Sequence, residues 1–550
     1  MTDVVLAFDL GTGGCKAALV DASARVLATA FVAYPTSYPA SGRHEQRPED
    51  WWAALAAATR ALPLPGHAVR AVSLSGHSLA MVPVDVSGAL LLDAVPIWSD
   101  VRGSAAAQAF FASVDENDWY LSTGNGFPAG MYTVFKAAGT PFGDRVAHIL
   151  GSKDWINYRL TGVRATDPSY ASGSGAYDLR SRALRPDVFA ALGVPAGWWP
   201  EVVASSAVIG SVSAEASLAT GIPSGVPVVA GGVDNSCMAL GAGLDRPGAA
   251  YLSLGSSNWV TVAGTEPVLD MVDRPFVFDH VLPGLYVSAL STFGGGSSLT
   301  WLAGLLGRDG DLGALLAEAA AVAPGADGLT CVPTLAGGTV AEGGPAVRGA
   351  FLGLGLAHTH GHLARAVVEG IGFSLAGAAA VMLADIPPGA PITAVGGGAR
   401  GDLMLQVLAD LLERPIARPA DAQHCAALGA AALGWLGIGA WDSTASLNTG
   451  ASGSTASLHT GASGSTASLN TGASSSTASL NTGAPGSTSS LNTGALGSAE
   501  RLHAGGAGSE PAHSGGAGIE LIVPGSADYA LPLARFRAAR AAVRAQSEVT

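Results

Sequence analysis

The chain is expected to fold as an α/β protein whose two related halves face each other across a cleft. Three observations predict this class. Two glycine- and hydroxyl-rich turns, far apart in the chain, each follow an apolar run: Val4 to Leu10 leads into Gly11-Thr12-Gly13-Gly14, and Ala250 to Leu254 leads into Gly255-Ser256-Ser257. The pattern of elements that begins at residue 4 is echoed from residue 249, with slight identity between the halves. At 550 residues the chain exceeds what one ordinary core organises, so two large domains are the default.

Residues 4–10, 17–21 and 25–34 read as successive strands joined by short turns. Pro48-Glu49-Asp50 marks a helix start, with Trp51, Leu55 and Leu62 on its apolar face. Residues 69–74 form the next strand. Strands followed by alternating helix and strand indicate an α/β domain. In the second half, strands are expected at 251–254, 258–263 and 285–291, and helices at 297–306 and 312–322. A long helix follows over 362–380, then a short strand over 392–395 ending in Gly396-Gly397-Gly398, then a helix over 402–412.

From Ser443 an eleven-residue repeat begins, restarting at Ser454, Ser465, Ser476 and Ser487, with a degenerate copy at Ser498. Each copy carries glycine and several hydroxyl residues, which oppose helix, and one leucine, which buries little surface. The segment 443–515 is therefore expected to be disordered, and 443–510 to be dispensable for folding and turnover. Pattern returns in a strand over 519–524 and a helix over 527–544, which close the core after the insertion. The arginines at 535, 537, 540 and 544 are expected to face solvent.

Hydrophobic residues make up 48% of the chain, yet no apolar stretch is uninterrupted for long enough to predict a membrane span. Met1-Thr2-Asp3 enters a strand without a basic leader, and the four cysteines have neither metal-ligand nor redox-pair spacing. The cytoplasm is the expected compartment. A formal charge of −14 argues against an extended nucleic-acid surface but not against a nucleotide held by local amides, a lysine and a metal.

The chemistry points to phosphoryl transfer. Asp9 and Lys16 flank the first turn, supplying a carboxylate for magnesium and a cation for phosphate, while Gly11, Thr12 and Gly13 offer donors. The pattern is neither a P-loop nor a dinucleotide fingerprint. Asp234 follows the apolar run 226–233 and is placed to accept a proton from an attacking hydroxyl; the competing reading is a cap on the helix that comes after it. His77, Trp98, Asp100 and Arg102 offer sugar contacts, against a structural Asp–Arg pair and a histidine that satisfies a backbone carbonyl. Gly397 and Gly398 bring backbone near a nucleotide, and Gln406 either contacts it or faces solvent. A zinc reading of His358, His360 and His362 lacks a fourth ligand.

These segments together resemble the FGGY family of carbohydrate kinases, nearest to its xylulokinase-like ketose kinases. Asp9-Leu10-Gly11-Thr12-Gly13-Gly14-Cys15-Lys16 is similar to the family's first phosphate motif. Gly349-Ala350-Phe351-Leu352-Gly353-Leu354, seven residues, then His362 to Glu369 is similar to its long central signature. Leu254 to Ser257 resembles the second phosphate motif, and Val395 to Ala399 the nucleotide segment. The resemblance covers about 3–442 and resumes at 519–544. It implies two actin-like, ribonuclease-H-like domains, 1–246 binding sugar and 247–442 binding nucleotide, the latter completed by 519–544.

The same resemblance implies ATP and Mg2+ as cofactors. Asp234 falls at the catalytic base and, with Asp9, at the metal; Gly255, Ser256 and Ser257 fall at ATP. The expected acceptor is a small ketose or polyol, D-xylulose first, with L-ribulose, L-xylulose, glycerol and erythritol open. Neither nucleic acid nor membrane is an expected partner, and a homodimer is left open. The chain departs from the family at His77-Ser78-Leu79, where xylulokinases carry glutamine–methionine–histidine. It departs again at Lys136-Ala137-Ala138-Gly139, which lacks a later tryptophan, and before Pro345, which lacks a glycine–glutamate–arginine run. An ATPase using water, or a binding protein with weakened catalysis, are the competing functions.

Overall fold

The structure, a computed structural model, describes residues 1–445, 447 and 519–547, together with the backbone of Ala456–Thr460 and Thr466–Leu469. Two mixed sheets carry it. The first has six strands, ordered Val208–Ser211, Pro227–Val233, His67–Gly76, Thr2–Gly11, Gly14–Asp21 and Val26–Ala33. The second runs Phe276–Asp279, Tyr286–Thr292, Asn258–Gly264, Ala250–Leu254, Ile392–Val395, Ile416–Pro419 and Ile519–Val523, then the two repeat strands. Of the segment expected to lack order, those two strands differ from the expectation, 443–445 and 447 are also described, and its remaining residues lie outside the described ones.

The elements arise from sequence where the pattern is strong. Val4, Leu6, Phe8 and Leu10 point to one face of the first strand, against Trp51 and Leu55 of the helix Pro48–Ala61. Val5 and Ala7 point to the other. With both faces covered, the strand reads as a continuous apolar run. A separate aromatic cluster around Trp119, Tyr132 and Phe135 sits between the strands of the first half, in a stretch without strong periodicity. The helix His360–Met382 is long and apolar enough to cross a membrane, unlike the sequence expectation, but most of it is buried in the second core.

Two helices lie between the halves. Asp234–Gly241 follows a strand of the first sheet, where its Cys237 and Leu240 pack beside Val5, Ala7 and Val229, while its Ala239 packs beside Tyr251, Ala263 and Val395 of the second. Cys425–Gly437 follows a strand of the second sheet, yet Ala431, Leu433 and Trp435 pack beside Val5, Ala7 and Val229 of the first. The two sheets are thereby held as one assembly, and the residues at the strand ends meet between them.

The closing segment belongs to the second core. Ile519–Val523 pairs antiparallel with Ile416–Pro419, and Ile522, Tyr529, Phe536 and Val543 are buried. Arg365 donates to Tyr529 Oη at 2.7 Å and to Glu369 at 2.6 Å. Each large apolar side chain contributes roughly 1.5–3 kcal/mol on burial, and a domain's net stability is only about 5–15 kcal/mol. Ending the chain at 518 is therefore expected to yield insoluble or unfolded protein, checked by soluble yield and thermal melting; a cooperative melt at the full-length temperature would contradict this packing.

Candidate active site

Three parallel neighbours, Thr2–Gly11, His67–Gly76 and Pro227–Val233, end side by side, with Leu10, Gly76 and Val233 in one register row. The first glycine turn and Asp234 come directly after. Asp9 and Asp234 are both partly buried. Asp234 is the first residue of its helix and makes no cap; its Oδ1 accepts from the Asn235 N–H at 2.8 Å. Burial, then the charge of Asp9, pushes its carboxyl up to about 7. Burial also raises Asp9, opposed by Lys16 and by the Ser75 hydroxyl, which donates to it at 3.1 Å. Two carboxylates thus repel each other across the strand ends, where a cation or a proton relieves both.

The first turn is braced rather than loose. Gln46 Nε2 donates to Thr12 O at 2.7 Å, Tyr34 Oη to Gly11 O at 2.5 Å, and Trp98 Nε1 to the Thr12 hydroxyl at 2.9 Å. Trp98 is 40% exposed, so its ring face stays open beside the turn. In the second half, Ala250–Leu254 and Ile392–Val395 are parallel neighbours, which places Gly255-Ser256-Ser257 beside Gly396-Gly397-Gly398. The Gly296 N–H donates to Gly255 O at 2.8 Å and Ser297 Oγ to Ser256 O at 3.0 Å, tying the second turn to the helix Gly296–Leu305.

Gln423 joins the two sides. Lys16 Nζ donates to its carbonyl at 2.7 Å, and Arg400, just after the third turn, donates to its Oε1. Lys16 therefore reaches across to the second half rather than back over its own turn. The neighbouring His424 is held neutral: burial, then Lys16 and Arg400, lower its ring to about 4. Neither Gln423 nor Gln46 carries a local sequence signal, because each acts through contacts with distant backbone.

Four expected contacts are corrected. His77 has no exposed surface; its Nδ1 faces Leu10 O at 3.1 Å, which can only accept, so Nδ1 carries the proton and donates to that carbonyl. Burial lowers the ring to about 4. Asp100 is likewise fully buried, accepting from the His44 N–H at 2.8 Å and from Arg102 Nε at 2.8 Å, while Arg102 also pairs with Glu45. The Asp100–Arg102 pair thus braces the Trp98 segment and leaves no free sugar donor or acceptor on Asp100. Gln406 donates to Asp410 at 2.7 Å and to Val523 O at 3.1 Å, fastening the closing strand rather than facing the turns. His362 caps Thr359 and meets Asp327 at 3.0 Å, and among the described residues no group of three or more His, Cys, Asp or Glu is set to hold a metal.

Two carboxylates, a braced glycine turn, two further turns on the facing sheet and a bridging lysine are an arrangement for holding phosphate against a hydroxyl. The comparisons agree with it. Residues 4–241 match the N-terminal domain, and 250–437 the C-terminal domain, of the FGGY family of carbohydrate kinases. The chain is 31% identical over 437 residues to the xylulose kinase of Escherichia coli K12, covering 78% of this chain and 89% of that one. It is 32% identical over 450 residues to the xylulose kinase of Streptomyces coelicolor, covering 78% and 87%. The crystal structure of xylulose kinase from Rhodospirillum rubrum matches at TM-score 0.72 and 32% identity, over 81% of this chain and 92% of that one. The chain is an enzyme: it belongs to the FGGY family of carbohydrate kinases, phosphotransferases with an alcohol group as acceptor, and within that family it is xylulokinase-like.

Proposed function

We propose that this kinase transfers the γ-phosphoryl group of ATP to a hydroxyl of a small ketose, D-xylulose before others, with Asp234 as general base, between two domains of the actin-like, ribonuclease-H-like kind. The observation that carries the base assignment is the placement of Asp234, a carboxyl pushed up to about 7, at the strand ends beside Asp9 and the first glycine turn. A base poised near neutrality accepts a hydroxyl proton effectively. Xylulose kinases recur among the relatives, which supports the sugar.

In this reading the N–H groups and hydroxyls of Gly11–Gly13, Gly255–Ser257 and Gly397–Gly398 bind phosphate oxygens, and Trp98 covers an apolar sugar face. Lys16 bridges the halves and adds positive charge beside the first turn. Asp234 accepts the hydroxyl proton as the oxygen bonds to phosphorus. Closure around the pair excludes water, which would otherwise compete as acceptor. The donor set fits magnesium arriving with ATP rather than a resident ion: Asp9 and Asp234 are two mutually repelling carboxylates, and magnesium is commonly held by one or two carboxylates plus substrate phosphates. Bound there, Mg2+ would neutralise charge on the transferring phosphate.

The pH dependence has a definite sign. The base works ionised, so kcat/KM is expected to rise with pH through a midpoint near 7 and to fall on the acid side. A flat profile from about 1.5 pH units below that midpoint to about 1 unit above it would contradict the assignment. The apparent midpoint belongs to the Asp9–Asp234 pair. The substrate is tested by assaying ATP-dependent product formation on D-xylulose, L-xylulose, L-ribulose, glycerol and erythritol. D-xylulose is expected to give the highest kcat/KM; a higher value on another acceptor reassigns the substrate, and ATP hydrolysis indifferent to every sugar makes the protein an ATPase.

A further inference from the structure

The strand that delivers Asp234 is irregular. Val229 pairs with Ser73, but Gly232 pairs with Ser75, so Ala230 and Gly231 together stand where the neighbouring strand has one residue. Gly231 has φ +73°, and a Cβ there would lie 2.0 Å from Leu74 O. This is a β-bulge, which turns the end of a strand and re-aims the residues beyond it. Here those residues are Gly232, Val233 and then Asp234.

A bulge leaves backbone groups outside the ladder; here the Ala230 and Gly231 N–H groups donate to Ala207 O and Ser205 O at 2.9 Å each, and the Ala230 carbonyl and Val233 N–H are met by buried side chains. The Ala230 carbonyl accepts from Asn157 Nδ2 at 2.9 Å and from Lys153 Nζ at 3.3 Å. The Val233 N–H donates to Ser169 Oγ at 2.9 Å. Ser169 Oγ donates in turn to Asp167 Oδ2 at 2.5 Å, and the Asp167 Oδ1 atom pairs with Lys153 Nζ at 3.0 Å. The third partner of that ammonium is Asp154, at 2.6 Å. Lys153, Asn157, Asp167 and Ser169 are all at most 1% exposed. A buried lysine with three acceptors, two of them carboxylates, is costly to assemble for stability alone, since apolar residues of similar volume often serve as well.

We propose that Lys153, Asn157, Asp167 and Ser169 are positioning residues for phosphoryl transfer: they clamp the Ala230–Gly231 bulge from both ends and so fix the direction in which Asp234 leaves the strand. This rests on the reading of Asp234 as the base. None of the four touches the reacting atoms; they act through the backbone of residues 230 and 233.

Ser205 supplies the control. Its hydroxyl also donates to Asp167 Oδ2, at 2.8 Å, but accepts nothing from the bulged strand; the Gly231 N–H donates instead to the Ser205 backbone carbonyl at 2.9 Å, a contact that an alanine keeps. Ser169→Ala and Ser205→Ala each remove one hydroxyl from the same buried carboxylate, and only the first frees the Val233 N–H. In the full-length enzyme, Ser169→Ala is expected to lower kcat by roughly 10- to 100-fold, the scale of a 1 Å misplacement. Sugar KM should stay within about threefold of the parent, because KM need not change when only transition-state alignment is lost. Ser205→Ala is expected to keep the parent kcat. In an Asp234→Asn background Ser169→Ala is expected to have little further effect, because the group it aims is gone.

Equal kcat for the two serine variants would overturn the proposal. So would full additivity with Asp234→Asn. Should Ser169→Ala fail to fold, Asn157→Ala removes the shorter of the two bonds to the Ala230 carbonyl, and an unchanged kcat there overturns the proposal equally. Failure of the base reading is seen separately, as near-parental activity of Asp234→Asn alone.

Discussion

Asp234→Asn is expected to fold, to bind ATP much as the parent does, and to lose sugar phosphorylation by roughly 10²–10⁴-fold in kcat. The amide keeps the size and the contact with the Asn235 N–H, since its oxygen can accept as the carboxylate does. It loses the ability to take a proton. Stability should move the other way. The folded carboxyl titrates near 7, well above its ordinary 3.8. The folded state therefore favours the protonated form, and stability on this account is lost as pH rises through 7. Replacing the group by a neutral amide removes that loss, so at pH 8 the variant is expected to melt no lower than the parent, and the difference should narrow as pH falls below 7 and vanish only below the ordinary 3.8, where the carboxyl is protonated in both states. A variant that phosphorylates at the parental rate would remove Asp234 from the base role, and a variant that melts much lower at pH 8 would show that the carboxylate is a structural ion instead.

How much of this was legible in the sequence depends on whether a residue acts through local chemistry. The strand Thr2–Gly11, the helix Pro48–Ala61, the strand Ile392–Val395 and the helix Asp402–Leu412 arise from apolar periodicity and end signals. Asp9, the three turns and Asp234 were legible because each sits where an apolar run stops, and a strand end in an α/β sheet is where ligands gather. Asp100 and Arg102 misled because an acid and an arginine two residues apart read equally as a sugar clamp or as a buried pair. Burial settled it, and burial is not a local property. The Ala230–Gly231 bulge was hidden for a related reason: a run of small apolar residues does not reveal that one is extra relative to a strand about 155 positions away, as register is set only on pairing. The crossing of Cys425–Gly437 onto the first sheet was equally invisible, since this helix is apolar on every side and nothing in it says which sheet it covers.

The contact of that helix with Asp234–Gly241 carries the other large expected effect. Where the helices cross, a Cβ on Gly241 would lie 1.8 Å from Cys425 O, and a Cβ on Gly429 would lie 1.9 Å from Cys237 O. The contact is reciprocal: in each helix the glycine comes four residues after the cysteine whose carbonyl meets the partner's glycine, so two backbones touch with no side chain between them. Gly429→Val places three carbons into that contact, and the obstacle is backbone, which cannot swing aside as a side chain would. The helices must separate by well over an ångström. Cys425–Gly437 packs on the first sheet and Asp234–Gly241 touches both sheets, so separation also shifts Asp234, at the start of one helix, relative to the turns of the second half. Overpacking of this kind costs about 3 kcal/mol or more, and the displacement should lower kcat as well. Gly197→Ala, at a glycine with open space around it, is expected to stay within about 0.5 kcal/mol of the parent. Thermal melting and steady-state kinetics of the two variants decide the matter: Gly429→Val with parental melting temperature and turnover would mean that the halves do not depend on this crossing to hold the site together.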